Sequence, residues 1–205
     1  MNNLMAERAT LRKLLRQKRQ ALTSSEQQQA SINLDSRLQQ EPLLAKAKTI
    51  AVYLANDGEI DLTRFCHWCW HHDKQLCLPV LHPFSKGHLL FLKYQPTTPM
   101  KRNRFGIFEP ELNATQVVPL GQLDAILLPL VGFDSDANRL GMGGGFYDRT
   151  LSQWHQQRHP ATTLLGVAHQ CQQVPELPIA SWDVPLNAVL TPAQSYVRPQ
   201  PSACS

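Results

Sequence analysis

The chain lacks any run approaching the ~18 consecutive apolar residues that would cross a bilayer. Its basic N-terminus carries neither a continuous apolar segment nor a signal-type cleavage site. A cytoplasmic protein with no membrane segment is the expectation. Cysteine is scarce: Cys66, Cys69, Cys77, Cys171 and Cys204 form an odd set without the spacing of a secreted disulfide framework, so reduced thiols are expected. Aromatic residues are absent from residues 1–48, although Arg8, Arg12, Lys13, Arg16, Lys18 and Arg19 crowd that stretch. A nucleic-acid-binding module would interleave stacking rings with its cations and carry a larger excess than the net +4 found here. That reading stands as the alternative to an enzyme and the weaker of the two. The charge by itself marks only a bias toward anionic partners such as nucleotides or polyglutamates.

What is present suffices for one compact domain: 205 residues, 42% of them hydrophobic. Leu4, Leu11, Leu15 and Leu22 recur at helical spacings while Arg8, Arg12 and Arg16 recur every fourth residue on a neighbouring face, predicting an amphipathic helix with a cationic ridge over residues 4–22. Thr23 followed three residues later by Glu26 is a capping box, and a second helix runs from there to about Pro42. Strands are predicted over residues 49–54, 75–79, 89–94, 124–131, 163–168 and 188–190, with helices over 61–73, capped by Asp61, and over 147–157. Strand, helix, strand in that order generates a parallel sheet, so the fold class is α/β. The domain is expected to span residues 1–194. Residues 195–205, rich in proline and serine, are expected to form a flexible tail.

Arg139, Leu140, Gly141, Met142, Gly143, Gly144, Gly145, Phe146, Tyr147 and Asp148 follow the most apolar strand through a polar turn and open a helix. In open α/β sheets, ligands bind at that end of the strands. Glycine lets backbone amides approach phosphate oxygens, and a helix N-terminus adds free amides and a partial positive charge. Three other readings of the segment fail on spacing. A Walker loop needs lysine and a hydroxyl residue after its last glycine, where Phe146 and Tyr147 stand; a dinucleotide fingerprint needs glycine at Phe146. A calcium loop beginning at Asp134 would put Arg139 sixth and Gly145 twelfth. A tight strand-to-helix turn with no ligand is the plainer alternative, but four glycines in five residues, bracketed by Arg139, Asp148 and Arg149, favour a polyphosphate. Asp148 could hold magnesium, with Asp183 as a second carboxylate if its segment returns beside the loop.

The chain resembles the 5-formyltetrahydrofolate cyclo-ligase family, also called methenyltetrahydrofolate synthetase. The likeness rests on residues 139–149, on residues 52–61, on Leu78 and Pro79, and on Trp182 and Asp183, in matching order over most of the chain. It implies a three-layer α/β/α sandwich with a mainly parallel central sheet, related to the ribose-phosphate isomerase and coenzyme A transferase folds. It implies a monomer that converts 5-formyltetrahydrofolate, in some cases polyglutamylated, together with ATP and magnesium, into 5,10-methenyltetrahydrofolate, ADP and phosphate. No nucleic acid or membrane partner follows from it. By the same resemblance ATP is assigned to Arg8, Ala9, Thr10, Leu11 and Arg12 and to the run from Arg139 through Tyr147. Folate is assigned to Leu54, Glu59, Met142, Gly143, Gly144, Gly145 and Phe146, and magnesium to Asp148 and Asp183. Arg139 and Tyr147 are the catalytic candidates for steadying the transferring phosphoryl group, with the choice between them open. Two departures bear on this. Arg8 stands where the family commonly has lysine, and Met142 and Gly144 stand where some members carry basic residues. Charge neutralisation therefore falls on Arg8, Arg12, Arg139 and Arg149.

Cys66, Cys69, His71, His72 and Cys77 invite a zinc reading, but the two closely spaced cysteines share an apolar helix face with Leu62 and Phe65 and are explained more simply as core. His169 follows a predicted strand and reads as a structural histidine. Glu109, after an apolar segment, is placed at the border of the folate pocket without a role.

Overall fold

The computed structural model describes residues 2–156 and 162–199. Four helices, α1 (Asn2–Gln20), α2 (Ser24–Gln40), α3 (Thr63–His71) and α4 (Phe146–Gln156), surround a sheet built in chain order from β1 (Thr49–Ala51), β2 (Gln75–Leu81) and β3 (Leu89–Tyr94) onward. After β3 come β4 (Met100–Arg102), β5 (Phe108–Pro110), β6 (Val117–Val118) and β7 (Ala125–Pro129). The chain closes with β8 (Gly132–Phe133), β9 (Arg139–Leu140), β10 (Thr163–Val167), β11 (Ala188–Leu190) and β12 (Ser195–Val197). The main sheet has the order β12-β11-β10-β7-β1-β2-β3-β6, parallel from β11 to β2 and antiparallel at both edges.

Side chains alternate across a strand, so each apolar strand feeds two cores. Ile50, Leu76, Leu78, Leu127 and Leu165 face one side, where Leu34 and Leu38 of α2 and Phe65 and Cys69 of α3 cover them. Ala51, Cys77, Ile126, Leu128 and Leu164 face the other, where Leu151 of α4 packs. Helices on both faces of a mainly parallel sheet give the three layers expected. Among the helices, α2 starts where the capping box directs: Glu26 N–H donates to Thr23 Oγ1 at 3.3 Å, and the Glu26 carboxylate accepts from Thr23 N at 2.7 Å. Such a cap contributes about 1 kcal/mol. The helix stops at Gln40 because Glu41, preceding Pro42, is driven to extended geometry (φ −66, ψ 117).

Several boundaries differ from expectation, four of them for a clear physical reason. The first strand ends at Ala51 rather than residue 54, leaving Tyr53 and Leu54 free to turn toward the site. The third helix begins at Thr63, with Asp61 Oδ1 accepting from Thr63 N at 3.0 Å, so the cap acts two residues ahead of the helix. The strand expected over 124–131 ends at Pro129, and β8 and β9 form a separate hairpin. That hairpin is closed by the buried Asp134 carboxylate, which accepts from Asp136 N (3.1 Å), Asn138 N (3.0 Å) and Asn138 Nδ2 (2.9 Å). Finally, β12 pairs antiparallel with β11 through residues 195–197, inside the segment expected as a tail. Tyr196 is what ties it down, buried with its ring 5.0 Å from that of Phe133. Residues 200–205 and Gln157, the expected end of the fourth helix, lie outside the described residues.

The helix α1 lies over the carboxyl ends of the strands, against β8 and the turn at Gln170–Gln172. Gly132 permits the approach, since a Cβ there would collide with Leu15 Cδ1. The cationic ridge of α1 is thereby laid across the edge of the sheet where ligands bind. Among the described residues, no helix is long and apolar enough to cross a membrane.

Candidate active site

A cavity of about 540 Å³ opens at that edge. Tyr53 and Leu54 beyond β1, Leu78, Pro79 and Leu81 of β2, and Pro129 at the end of β7 form its floor. The glycine loop and Tyr147 make one wall; Asn103, Phe105, Phe108 and Glu109, from the β4–β5 arm, make another. Met5, Arg8 and Arg12 of α1 and Trp182 and Asp183 complete the rim.

The loop occupies residues 141–145 between β9 and α4. Gly143 (φ 97) and Gly145 (φ 65) sit in the left-handed region, which costs a residue with a Cβ roughly 1–2 kcal/mol. Arg12 holds the loop to α1 by donating from Nε to Gly141 O at 2.8 Å, and a Cβ on Gly143 would lie 3.5 Å from Arg12 Cζ. Burial, followed by repulsion from Arg8, lowers the Arg12 pKa from its ordinary value, opposed by Asp183 and Asp148. These four side chains therefore share one electrostatic neighbourhood.

Both candidate metal carboxylates are engaged by arginine. Arg8 binds Asp183 through two hydrogen bonds, Nη1 to Oδ2 at 2.6 Å and Nη2 to Oδ1 at 2.8 Å, with Nη1 also donating to Pro178 O at 2.7 Å. Arg139 donates to Asp148 Oδ1, which also accepts from Val184 N at 3.3 Å, so the two acidic segments meet although 35 residues separate Asp148 from Asp183. Arg8 and Arg139 are buried at 4% and 6% exposure, yet the Nε–H of each has no hydrogen-bond partner. A buried donor left unpaired costs about 1–3 kcal/mol, which an anion oxygen would recover. The donor set thus fits a polyphosphate. Among the described residues no third ligand residue joins the two carboxylates, a set that suits magnesium, whose remaining ligands are ordinarily phosphate oxygens and water.

At the opposite end of the cavity the loop after β1 carries Glu59. Its carboxylate accepts from Asn56 N at 3.1 Å and lies 3.8 Å from Arg19 Nη1. Burial pushes its pKa up to about 7, against the opposing effects of Arg19 and the Asn56 bond. Arg19 is fully buried and ties this loop to α1, donating to Asp57 O at 2.9 Å, Asp57 Oδ2 at 2.7 Å and Leu130 O at 3.1 Å. Arg16 joins it on Asp57 Oδ2 at 2.7 Å. The ridge is therefore divided: Arg8 clamps Asp183, Arg12 holds the glycine loop, and Arg16 and Arg19 brace the Glu59 loop. Tyr53 OH donates to Ile60 O at 2.9 Å and fixes the same loop from below. Burial, followed by the charge of Glu59, raises the pKa of Tyr147, whose ring lines the cavity.

Several sequence-assigned residues stand apart. Ala9 and Thr10 are exposed on α1, with Thr10 Oγ1 donating back to Ala6 O at 3.0 Å; neither they, nor Leu11, nor the buried Leu140 line the cavity. Helical geometry separates them, because only positions four apart face the loop together. Arg149 donates to Gly144 O and to Gly87 O (3.1 Å), bracing the loop against the β2–β3 turn. His169 is held by Gly58 O at 3.2 Å, and burial pulls its pKa down to about 4, so a neutral ring donates that bond. Cys66 and Cys69 pack in one core and Cys77 in the other, with burial pushing each thiol up to about 12; Cys204 lies outside the described residues. Sequence reasoning missed Met5 and Asn103 and gave Phe105 and Trp182 no role at the site. Glu109, placed at the pocket border, is buried and accepts from Leu81 N and Asn103 Nδ2, both at 3.1 Å, anchoring the arm. The sequence signal for the arm was the apolar run at residues 105–108, whose Phe105 and Phe108 stand largely in solvent in the structure.

Residues 4–192 match the profile of the 5-formyltetrahydrofolate cyclo-ligase family. The 5-formyltetrahydrofolate cyclo-ligase of Escherichia coli is 46% identical over 183 residues, 89% of this chain and 99% of that one. Its counterpart in Haemophilus influenzae is 47% identical over 184 residues, 90% of this chain and 97% of that one. Among solved structures, the NMR structure of the 5,10-methenyltetrahydrofolate synthetase of Aquifex aeolicus superimposes with a TM-score of 0.80 at 28% identity, covering 97% of this chain and 96% of its own. The synthetase of Mycoplasma pneumoniae gives 0.71 at 26% identity, covering 90% and 98%.

Proposed function

The chain belongs to the 5-formyltetrahydrofolate cyclo-ligase family and converts 5-formyltetrahydrofolate into 5,10-methenyltetrahydrofolate, and we propose that it does so by ATP-driven phosphorylation of the formyl oxygen at the glycine loop. A formamide oxygen is a poor leaving group. In the proposed sequence it attacks the γ-phosphorus of ATP, the bond to the bridging oxygen breaks, and ADP leaves. N10 then adds to the activated formyl carbon, loses its proton, and the carbon–oxygen bond breaks to release phosphate. The product is the N5=CH–N10 amidinium. Such transfer depends on positioning and charge neutralisation more than on covalent chemistry by the protein.

The observation that carries this reading is the pair of unpartnered Nε donors on Arg8 and Arg139 beside a glycine loop. With ATP bound, those donors and the loop amides neutralise the phosphate oxygens, and Arg12 adds a third cation from α1. Tyr147 and Arg139 steady the transferring group, with Leu140 setting the strand that aims it and Ala9, Thr10 and Leu11 supplying the helical frame. Asp148 and Asp183 would hold magnesium, whose charge would offset that developing on the phosphate oxygens. Glu59 accepts hydrogen bonds from the pterin while Leu54 and residues 142–146 pack against the ring and formyl group. The enzyme is read as a monomer, and the net +4 favours polyglutamylated substrate. A cytoplasmic enzyme is the corresponding location.

The test is substitution at the loop. Arg139→Lys keeps the charge but loses the second donor arm, and kcat should fall at least about 10²-fold, as for loss of one aligned transition-state donor. Unchanged turnover would remove Arg139 from the chemistry.

A further inference from the structure

A second chamber, of about 550 Å³, adjoins the first and shares Met5, Gly143, Gly145, Asp148, Trp182 and Asp183 with it. It is lined beyond them by Arg149, Ser152, Ser181 and Val184. Two apolar side chains stand half in solvent at the junction: Met5 and Trp182, each 51% exposed. Leaving an indole and a thioether that open to water beside a cluster of charges gains nothing for folding. It makes sense for a ligand.

The order of residues is the same on both segments. On α1, Met5 precedes Arg8 by three positions, so both lie on one helix face with Met5 a turn further out. On the turn at 180–183, Trp182 immediately precedes Asp183. That turn is rigid: Asp183 N donates to Ala180 O at 3.0 Å, Ala180 N donates to Asp183 Oδ2 at 2.8 Å, and Arg8 clamps the same carboxylate. The two segments are therefore locked together through their charged members, and their apolar members line the same two cavities. A molecule bound across them has a polyanionic inner end and a flat apolar outer end.

Resting on the ATP site proposed above, we infer that Trp182 and Met5 form the nucleobase slot, with the purine lying against the indole and its phosphates leading inward to Gly143, Gly145 and Arg8. The folate then occupies the main cavity from the Glu59 end, and the two substrates meet only at the shared glycine wall. Indole stacking recognises any base by its π-face, so the slot confers affinity for a nucleotide over bare polyphosphate rather than sharp selection among bases. The polarizable thioether of Met5 covers the ring's other side without demanding one orientation.

Calorimetric titration with ADP and, separately, with tripolyphosphate tests this on the full chain. Trp182→Ala should weaken ADP binding roughly tenfold or more, as expected for loss of one stacked base, and leave tripolyphosphate binding within about twofold. Trp182→Phe should recover most of the ADP affinity. Arg12→Ala, which acts on the phosphates, should weaken both ligands. Unchanged ADP binding in Trp182→Ala, with Arg12→Ala still weakening both, overturns the base slot and leaves the phosphate site standing. Equal weakening of both ligands by Trp182→Ala also overturns it, since the residue would then be acting through Asp183. If Arg12→Ala affects neither ligand, the phosphate site itself is wrong, and the slot falls with it.

Discussion

Replacing Glu59 by glutamine removes a carboxylate whose pKa burial pushes up to about 7, from an ordinary 4.5. A carboxyl harder to ionise in the folded chain than in the unfolded one binds its proton more tightly when folded. Its contribution is therefore fully present below the unfolded pKa and is lost as pH rises through the folded one. At about 1.4 kcal/mol per pKa unit, ionising Glu59 costs the fold about 3 kcal/mol by pH 8, of which about 2 kcal/mol is lost above pH 5.5. Glutamine has nothing to ionise. Thermal melts of Glu59→Gln and the parent chain should thus diverge with pH, the variant gaining roughly 4–8 °C on the parent between about pH 5.5 and pH 8. Arg19 does not complicate the comparison, because Asp57 and the Leu130 carbonyl keep its guanidinium satisfied. Any constant offset from the lost contact with Arg19 cancels between the two pH values. The same substitution should raise the folate KM by roughly 10- to 100-fold, the loss of charge-assisted hydrogen bonds, with a smaller change for ATP. A melting difference that is the same at both pH values would refute the burial argument, and equal KM effects on both substrates would refute the pterin assignment.

Asp148→Asn should lower kcat by about 10²-fold or more and raise the magnesium concentration needed for half-maximal rate, with a cooperative melt retained; parent-like magnesium dependence would remove it from the metal site. Gly145→Ala forces a Cβ at φ 65 to within 2.7 Å of Arg149 Nη1, so the ATP KM should rise while the folate KM moves little. Arg19→Met leaves Asp57 without its buried partner and should cost about 3 kcal/mol or more in urea unfolding, a loss that a surface role for Arg19 could not produce. Phe105→Ala, on the arm over the cavity, should raise the folate KM several-fold without changing the ATP KM, measured by steady-state kinetics at saturating co-substrate.

The layers were legible because long patterns are hard to mistake. The third and the last of the expected strands, residues 89–94 and 188–190, appear with the bounds that apolar runs predict, and Thr23 with Glu26 starts α2. The β8–β9 hairpin was not legible, since two-residue strands carry no period and depend on the buried Asp134 carboxylate gathering four donors. The arginine ridge shows the same divide. Its four-residue spacing puts Arg8, Arg12 and Arg16 on one face, but only the tilt of α1 over the strand ends decides that Arg12 reaches Gly141 while Arg16 reaches Asp57. Local motifs announced the glycine loop; the partners that neutralise it come from residues 8 and 183, joined by a contact 175 positions apart that no local pattern encodes. The bracing contact of Arg149 was hidden for a related reason, since nothing in the sequence shows that Gly87 returns beside it.

The central claim is that the formyl oxygen itself is phosphorylated at the loop, and the fate of that oxygen tests it. With 5-formyltetrahydrofolate carrying a heavy oxygen isotope in its formyl group, ATP and magnesium, mass spectrometry of the products of a limited turnover should find the label in inorganic phosphate, one atom per methenyl product formed. Label released into water, with unlabelled phosphate, would mean that ATP cleavage and ring closure proceed without a bond between formyl oxygen and phosphorus, and would contradict the account.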